Sequence, residues 1–273
     1  MSTNTVSIRN RQIILHIPHS SLFIPEKYIP IFCMRRDELR AELLRMTDLY
    51  TDRLFDVPEV PESNRIVFPY SRLICDVERF RDDRMESMAA RGMGVCYTAA
   101  SSLMPLKTVT AAHKQEMYEL YDRHHALLTK TVDSVLEDFG AALLIDCHSF
   151  ASICLPYEGT PAGRGDDRCR PDFCIGTDPQ FHTPKWVSDF LIDAFSEKGF
   201  SVAENYPFGG SLVPMKHYHT DSRVRSVMIE INRRLYMNEE TGEKTAEFSS
   251  LKALIGRVIR QLGKLFYNEM TDM

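Results

Sequence analysis

The chain alternates between short unbroken apolar runs and longer stretches in which apolar residues return every three or four positions. Ile13-Ile14-Leu15-His16-Ile17 is one such run. A strand with one wet face would alternate apolar with polar, so an unbroken run predicts a strand buried on both faces. Pro18 stops it and throws His19-Ser20-Ser21 into the loop beyond. Residues 142–147, Ala-Leu-Leu-Ile-Asp-Cys, predict a second buried strand with His148-Ser149 at its exit. Further strands are predicted over 65–68, 73–76, 173–176, 201–204 and 226–231.

Helical spacing appears between them. Leu39, Leu43, Met46, Tyr50 and Leu54 approach a helical stripe over 37–56, with Thr47-Asp48 as a break or a new N-cap inside it. Over 113–139, Met117, Tyr121, His124, Leu128, Val132 and Val135 form one stripe, and Gly140 ends that helix. The same spacing returns over 185–198 and over 248–266, where Leu251, Leu254, Ile255, Val258, Ile259, Leu262 and Leu265 share a face. Residues 155–172 are rich in Gly, Pro, Arg and Asp and carry no period, the pattern of a functional or disordered loop.

Strands and helices alternating from end to end predict a single α/β domain over residues 1–273, with one sheet between helical layers. Ligands of such sheets bind beyond the carboxyl ends of the strands. The polar residues there are the first place to look for chemistry.

Composition narrows the classes. A net charge of −5 and a pI near 6.0 supply no broad pull toward nucleic acid or anionic lipid. No apolar run approaches the roughly 18 residues that span a bilayer, and the first residues lack a signal-peptide core, so a cytoplasmic protein is expected. Seven scattered cysteines without a CxxC pair read as reduced thiols, with Cys75 and Cys147 as small buried hydrophobes.

Three strand ends carry metal-type or acid–base side chains: His19, His148, and Glu230 in Val227-Met228-Ile229-Glu230-Ile231-Asn232. A catalytic zinc takes about three His, Asp or Glu ligands and lowers the pKa of its water to roughly 7. Two histidines therefore need one carboxylate. Asp48 and Asp52, one helical turn apart, are both candidates. The plain alternative is that each histidine is a lone hydrogen-bonded residue and each aspartate a cap or a solvated charge.

Several segments resemble the N-formylglutamate amidohydrolase family in order along the chain: His16-Ile17-Pro18-His19-Ser20-Ser21, Thr47-Asp48, Ser71-Arg72-Leu73-Ile74-Cys75-Asp76-Val77-Glu78-Arg79, Leu144-Ile145-Asp146-Cys147-His148-Ser149, Asn205-Tyr206-Pro207-Phe208-Gly209-Gly210 and Ile229-Glu230-Ile231-Asn232-Arg233. The resemblance implies the fold of zinc carboxypeptidases and deacylases, a three-layer α/β/α arrangement around a mixed, mostly parallel sheet. It also implies zinc on His19, Asp48 and His148, with Asp52 as the fallback ligand, and Glu230 as acid–base catalyst. Arg72, Arg79, Asp76, Ser149, His124 and Gly210 become the expected substrate-binding residues.

The sequence departs from the family at one informative place. Where the family reads Asp-Leu-Asn-Arg, this chain has Asp76-Val77-Glu78-Arg79, putting a carboxylate where an amide is usual. A negative charge facing the substrate would oppose an acidic one. The expected activity is hydrolysis of an N-formyl or N-acyl amino acid, N-formylglutamate first. Another N-acyl amino acid or short peptide is the alternative substrate, and a non-catalytic binding protein on the same scaffold is the alternative class. His124 on its helical stripe could instead be a core histidine bonded to a backbone carbonyl, and Gly209-Gly210 a tight turn needing positive φ. His113, His182, His217 and His219 attract no assignment.

Overall fold

The structure is a computed structural model that describes residues 10–158 and 170–271. Among them β1 (Ile13–Ile17), β2 (Arg65–Val67), β3 (Ala142–Phe150), β4 (Phe173–Gly176), β5 (Val202–Glu204) and β6 (Val224–Asn232) form one sheet in the order β2-β1-β3-β6-β4-β5. Neighbouring strands are parallel except β4 and β6. The sheet is thus mixed and mostly parallel, as expected.

Period-two alternation divides the side chains of the central strands between two helical layers. Leu15, Ile145, Cys147, Ile229 and Ile231 face α4 (Lys185–Ser196) and α5 (Phe248–Thr271), where Phe195, Ile255, Ile259 and Leu262 cover them. Ile14, Ala142, Leu144 and Val224 face Leu128, Val132 and Val135 of α3 (Ala111–Phe139). Thr110 caps α3 by accepting the His113 N–H, and Gly140 ends it at φ +76°. Farther along the α3 face the same alternation brings His16 of β1, Asp146 and His148 of β3, and Glu230 of β6. One sheet face is therefore apolar at the start of the strands and ionisable at their carboxyl ends.

Three expectations change. The stretch over 37–56 divides at the expected Thr47-Asp48 break into α1 (Arg36–Met46) and the short α2 (Thr51–Leu54), with Thr47 extended and Tyr50 left-handed at φ 70°. Asp48 lies in the break, so the helical face expected to join it to Asp52 is lost. Residues 73–76 form a turn rather than a strand. Leu73, Ile74, Cys75 and Asp76 are fully buried, but side chains replace a strand ladder: Ser71 Oγ accepts the Leu73 N–H, and Lys107 Nζ donates to the carbonyls of Leu73 and Ile74. Finally, β3 runs on to Phe150, which puts His148 and Ser149 inside the strand instead of past its end.

Candidate active site

His19 follows β1, and its carbonyl accepts the Asp48 N–H at 2.9 Å, which ties the break between α1 and α2 to the end of the sheet. Asp48 Oδ2 lies 3.0 Å from His148 Nδ1 and 3.6 Å from His19 Nδ1. All three side chains are buried, and one donor atom from each lies within 4.8 Å of the others. Among the described residues His19 Nδ1 has no hydrogen-bond partner. A buried imidazole nitrogen left unpaired beside a second imidazole and a carboxylate is the donor set a divalent metal takes from proteins. These residues fit a metal ion, and they come from parts of the chain distant in sequence.

The outer sides of the three groups are also held. His19 Nε2 is 2.8 Å from Asp76 Oδ1, while Asp76 Oδ2 accepts from Arg72 Nη2 at 2.7 Å and from Tyr97 at 2.5 Å. Burial opposes ionisation of Asp76, but Arg72, His19 and Arg79 hold its carboxyl well below the usual range. Arg233 Nη2 donates to Asp48 Oδ1 at 2.8 Å. Together with His148 and His19, Arg233 overcomes the burial of Asp48 and keeps it ionised. A carboxylate behind a ligating histidine fixes its ring and tautomer.

Glu230 stands opposite His148 in the parallel β3–β6 register and shares its sheet face. Its Oε2 is buried without a partner. Burial pushes the Glu230 carboxyl up to about 8, with Asp48 and Glu78 adding repulsion against the pull of His148 and Arg233. An unpaired carboxyl with a raised pKa beside a metal-capable centre is equipped to move protons near neutral pH.

A cleft of about 630 Å³ opens over the centre, lined among others by His19, Asp48, Arg72, Arg79, His148, Ser149 and Glu230. Arg72 and Arg79 reach it with part of their charge already shared with Asp76. Asp76 itself is fully buried behind the wall, where it accepts from Arg72 and Tyr97. The Ser149 hydroxyl accepts from Arg233 Nε at 3.2 Å. Gly210 has φ +87°, as a tight turn requires, and its N–H donates to Asn205 Oδ1. Asp52 is outside the cluster of His19, Asp48 and His148, and its carbonyl accepts from Arg65 Nη2. Of the aperiodic loop over 155–172, 159–169 lie outside the described residues, while Leu155, Tyr157, Glu158 and Arg170 border the cleft.

Among the described residues no backbone carbonyl bonds His124. Its Nε2 lies 2.8 Å from His16 Nε2, and the carbonyl-bonded histidine is its neighbour His125, on Val77. His16 Nδ1 in turn lies 2.7 Å from Asp146 Oδ1. In the sequence, His16 reads only as part of an apolar run. The signal that could have found it is its place two residues after Ile14, on the same strand face and close to the strand end. Asp178, His182 and His219 also converge. There both ring nitrogens of His182 are engaged, by the Val224 carbonyl and the His219 N–H, as in a structural core histidine.

Fold and donor set together are those of an α/β hydrolase with a metal-capable centre. The family model described as N-formylglutamate amidohydrolase matches residues 11–237, and the chain belongs to that family. It is 24% identical to N-formylglutamate deformylase of Pseudomonas aeruginosa over 73% of this chain and 74% of that one. With N-formylglutamate deformylase of Pseudomonas putida it shares 24% identity over 83% of this chain and 82% of the relative. The crystal structure of N-formylglutamate amidohydrolase from Ralstonia eutropha JMP134 superimposes with a TM-score of 0.77 at 22% identity, covering 96% of this chain and 94% of that one. A solved protein of Agrobacterium tumefaciens has the same fold at a TM-score of 0.59 and 20% identity, over 92% and 91% of the two chains.

Proposed function

We propose that this chain, folded as one α/β domain, hydrolyses the amide bond of N-formylglutamate to formate and glutamate, with zinc held by His19, Asp48 and His148. The observation that carries the reading is the pairing of an unpartnered, buried Glu230 carboxyl with His148 at the floor of an open cleft. Family membership and two curated deformylase relatives support the substrate.

A divalent metal in that donor set supplies Lewis-acid polarisation of the acyl carbonyl and acidifies water. Glu230 takes the proton of the attacking water and returns one to the leaving amine nitrogen, for which a pKa near neutrality is the favourable setting. Arg72 and Arg79 set two guanidinium charges against the single carboxylate of Asp76, leaving positive charge for a substrate carboxylate. Glu78 does not cancel it. Although Glu78 also borders the cleft, its oxygens lie against His148 and His16, and among the described residues it forms no ion pair with either guanidinium. That placement favours an acidic substrate despite the departure from Asp-Leu-Asn-Arg.

No described helix is long and apolar enough to cross a membrane. A small-molecule substrate and reduced cysteines fit work in the cytoplasm. The test is hydrolysis of N-formylglutamate, N-formylglutamine and N-formylarginine by protein of measured zinc content. A preference in kcat/KM for the glutamate derivative is expected. No turnover of any of the three by fully loaded protein would refute the reading, and preference for the arginine derivative would reassign the substrate.

A further inference from the structure

Glu78 is the residue by which the sequence departs from its family, and its surroundings give it work other than contacting substrate. Its Oε2 lies 2.9 Å from His148 Nε2, and Asp146 Oδ1 lies 3.1 Å from the same nitrogen. Neither contact has the angle of a hydrogen bond, so His148 Nε2 is buried and unpartnered between two carboxylates. The opposite nitrogen, Nδ1, faces Asp48 and the metal-capable centre. Glu78 Oε1 sits 3.4 Å from His16 Nδ1. His16 is held from behind by His124 and from the side by Asp146.

From this arrangement we infer that Glu78 is a positioning residue: with Asp146 it fixes the tautomer and ring orientation of His148, so that Nε2 carries the proton and Nδ1 is free to ligate. The inference rests on His148 being a metal ligand. The physical basis is that a carboxylate receiving the outer N–H of a ligating imidazole locks the ring and makes the ligating nitrogen more basic. A metal held by His19, Asp48 and His148 would engage Nδ1 and leave Nε2 to donate toward Glu78 or Asp146. An amide at position 78 offers a neutral acceptor in place of a charged one, which weakens the hydrogen bond.

A second metal between His16, Glu78 and Asp146 is the competing account of the same cluster. It is disfavoured because Glu78 and Asp146 both also converge on His148 Nε2, which a metal on His16 would leave unexplained. Two charged carboxylates around one imidazole instead match a single ligand needing orientation.

The experiment measures zinc affinity by chelator competition at fixed pH, in the wild type, Glu78→Gln, Glu78→Asn and His148→Ala. Both Glu78 variants should bind zinc about 10- to 100-fold more weakly, with KM for N-formylglutamate at saturating zinc unchanged. The metal-free variants should keep the wild-type circular dichroism spectrum and unfold in one cooperative transition, with a lower melting temperature from the lost charge beside His16 and His148, separating ring orientation from misfolding. Wild-type affinity in both variants, with KM alone changed, would overturn the inference and make Glu78 a substrate-facing residue. Loss of zinc as complete as in His148→Ala would make Glu78 a ligand, and two zinc ions per chain would establish the second site. If His148→Ala itself keeps zinc, the metal centre fails first, and the inference with it.

Discussion

Glu230 and His148 occupy facing positions of adjacent parallel strands, so the backbone register alone delivers both side chains to the same side of the sheet. Neither depends on loop conformation for its direction. His19 and Asp48, by contrast, arrive from loops and are held by a backbone hydrogen bond to each other and by Asp76 and Arg233 behind them. The centre joins two strand-fixed groups to two loop-borne ones, and rigid support beneath the loops substitutes for a strand.

Glu230→Gln separates proton transfer from metal binding. The amide keeps the shape and cannot accept a proton, so kcat should fall by about 10²- to 10⁴-fold. Zinc content should stay at the wild-type level, since Glu230 is outside the set His19, Asp48 and His148. Loss of zinc from the variant would make Glu230 a ligand and require another base.

Arg233→Met tests how the buried Asp48 charge is balanced. Arg233 is enclosed and donates to Asp48 Oδ1, the carbonyl of Arg45 and Ser149. Removing one partner of a buried pair costs about 3–5 kcal/mol because the other charge is left uncompensated. The loss should be large in metal-free protein and much smaller with zinc, whose charge takes over. Equal destabilisation with and without zinc, measured by thermal unfolding, would place the zinc away from Asp48.

Much of the fold and of the centre is legible in the amino-acid sequence. Buried strands stand out as unbroken apolar runs, and the histidines and glutamate near their ends are visible because polar residues in such runs are conspicuous. Two features are not legible there. The turn over 73–76 is as apolar and as buried as a strand, and what distinguishes it is a distant lysine, Lys107, that satisfies its carbonyls. The partnership of His16 with His124 joins residues 108 positions apart on a strand and a helix. Periodicity reports burial, and neither the partner of a buried carbonyl nor that of a buried imidazole is encoded locally.

Gly176→Ala probes the wall of the cleft. A Cβ at Gly176 would stand 2.3 Å from the Gly210 carbonyl oxygen and 2.9 Å from Met228 Cβ. Backbone must move to admit it, and the segment that moves is the 205–210 loop, of which Asn205 through Gly209 border the site. Overpacking of this kind costs about 1–3 kcal/mol. A lower melting temperature together with a raised KM is expected, and a lower melting temperature with unchanged KM would detach that loop from substrate binding.

The pH dependence of the metal-free protein follows from His16. Burial draws its pKa down, but the hydrogen bonds and charges of Asp146 and Glu78 more than offset this and raise it from 6.5 to about 9. The groups facing it are those two carboxylates and His124, which burial and the charge of His16 keep neutral. A base with a raised folded pKa gives stability that is fully present below the unfolded pKa and lost as pH rises through the folded one. For His16 the loss falls between pH 6.5 and about 9. Glu230, raised from 4.5 to about 8, acts in the same direction over its own window, because the folded state keeps a proton that the unfolded chain releases. The melting temperature of zinc-stripped protein should therefore fall steadily from pH 6.5 to about 9. His16→Gln, which keeps a neutral donor toward Asp146, should make that fall shallower without abolishing it, because, despite burial, Glu78, Asp146 and Asp48 also hold the His148 imidazole well above its ordinary 6.5. A melting temperature that stays flat or climbs across this window would mean that His16 is neutral in the folded metal-free protein.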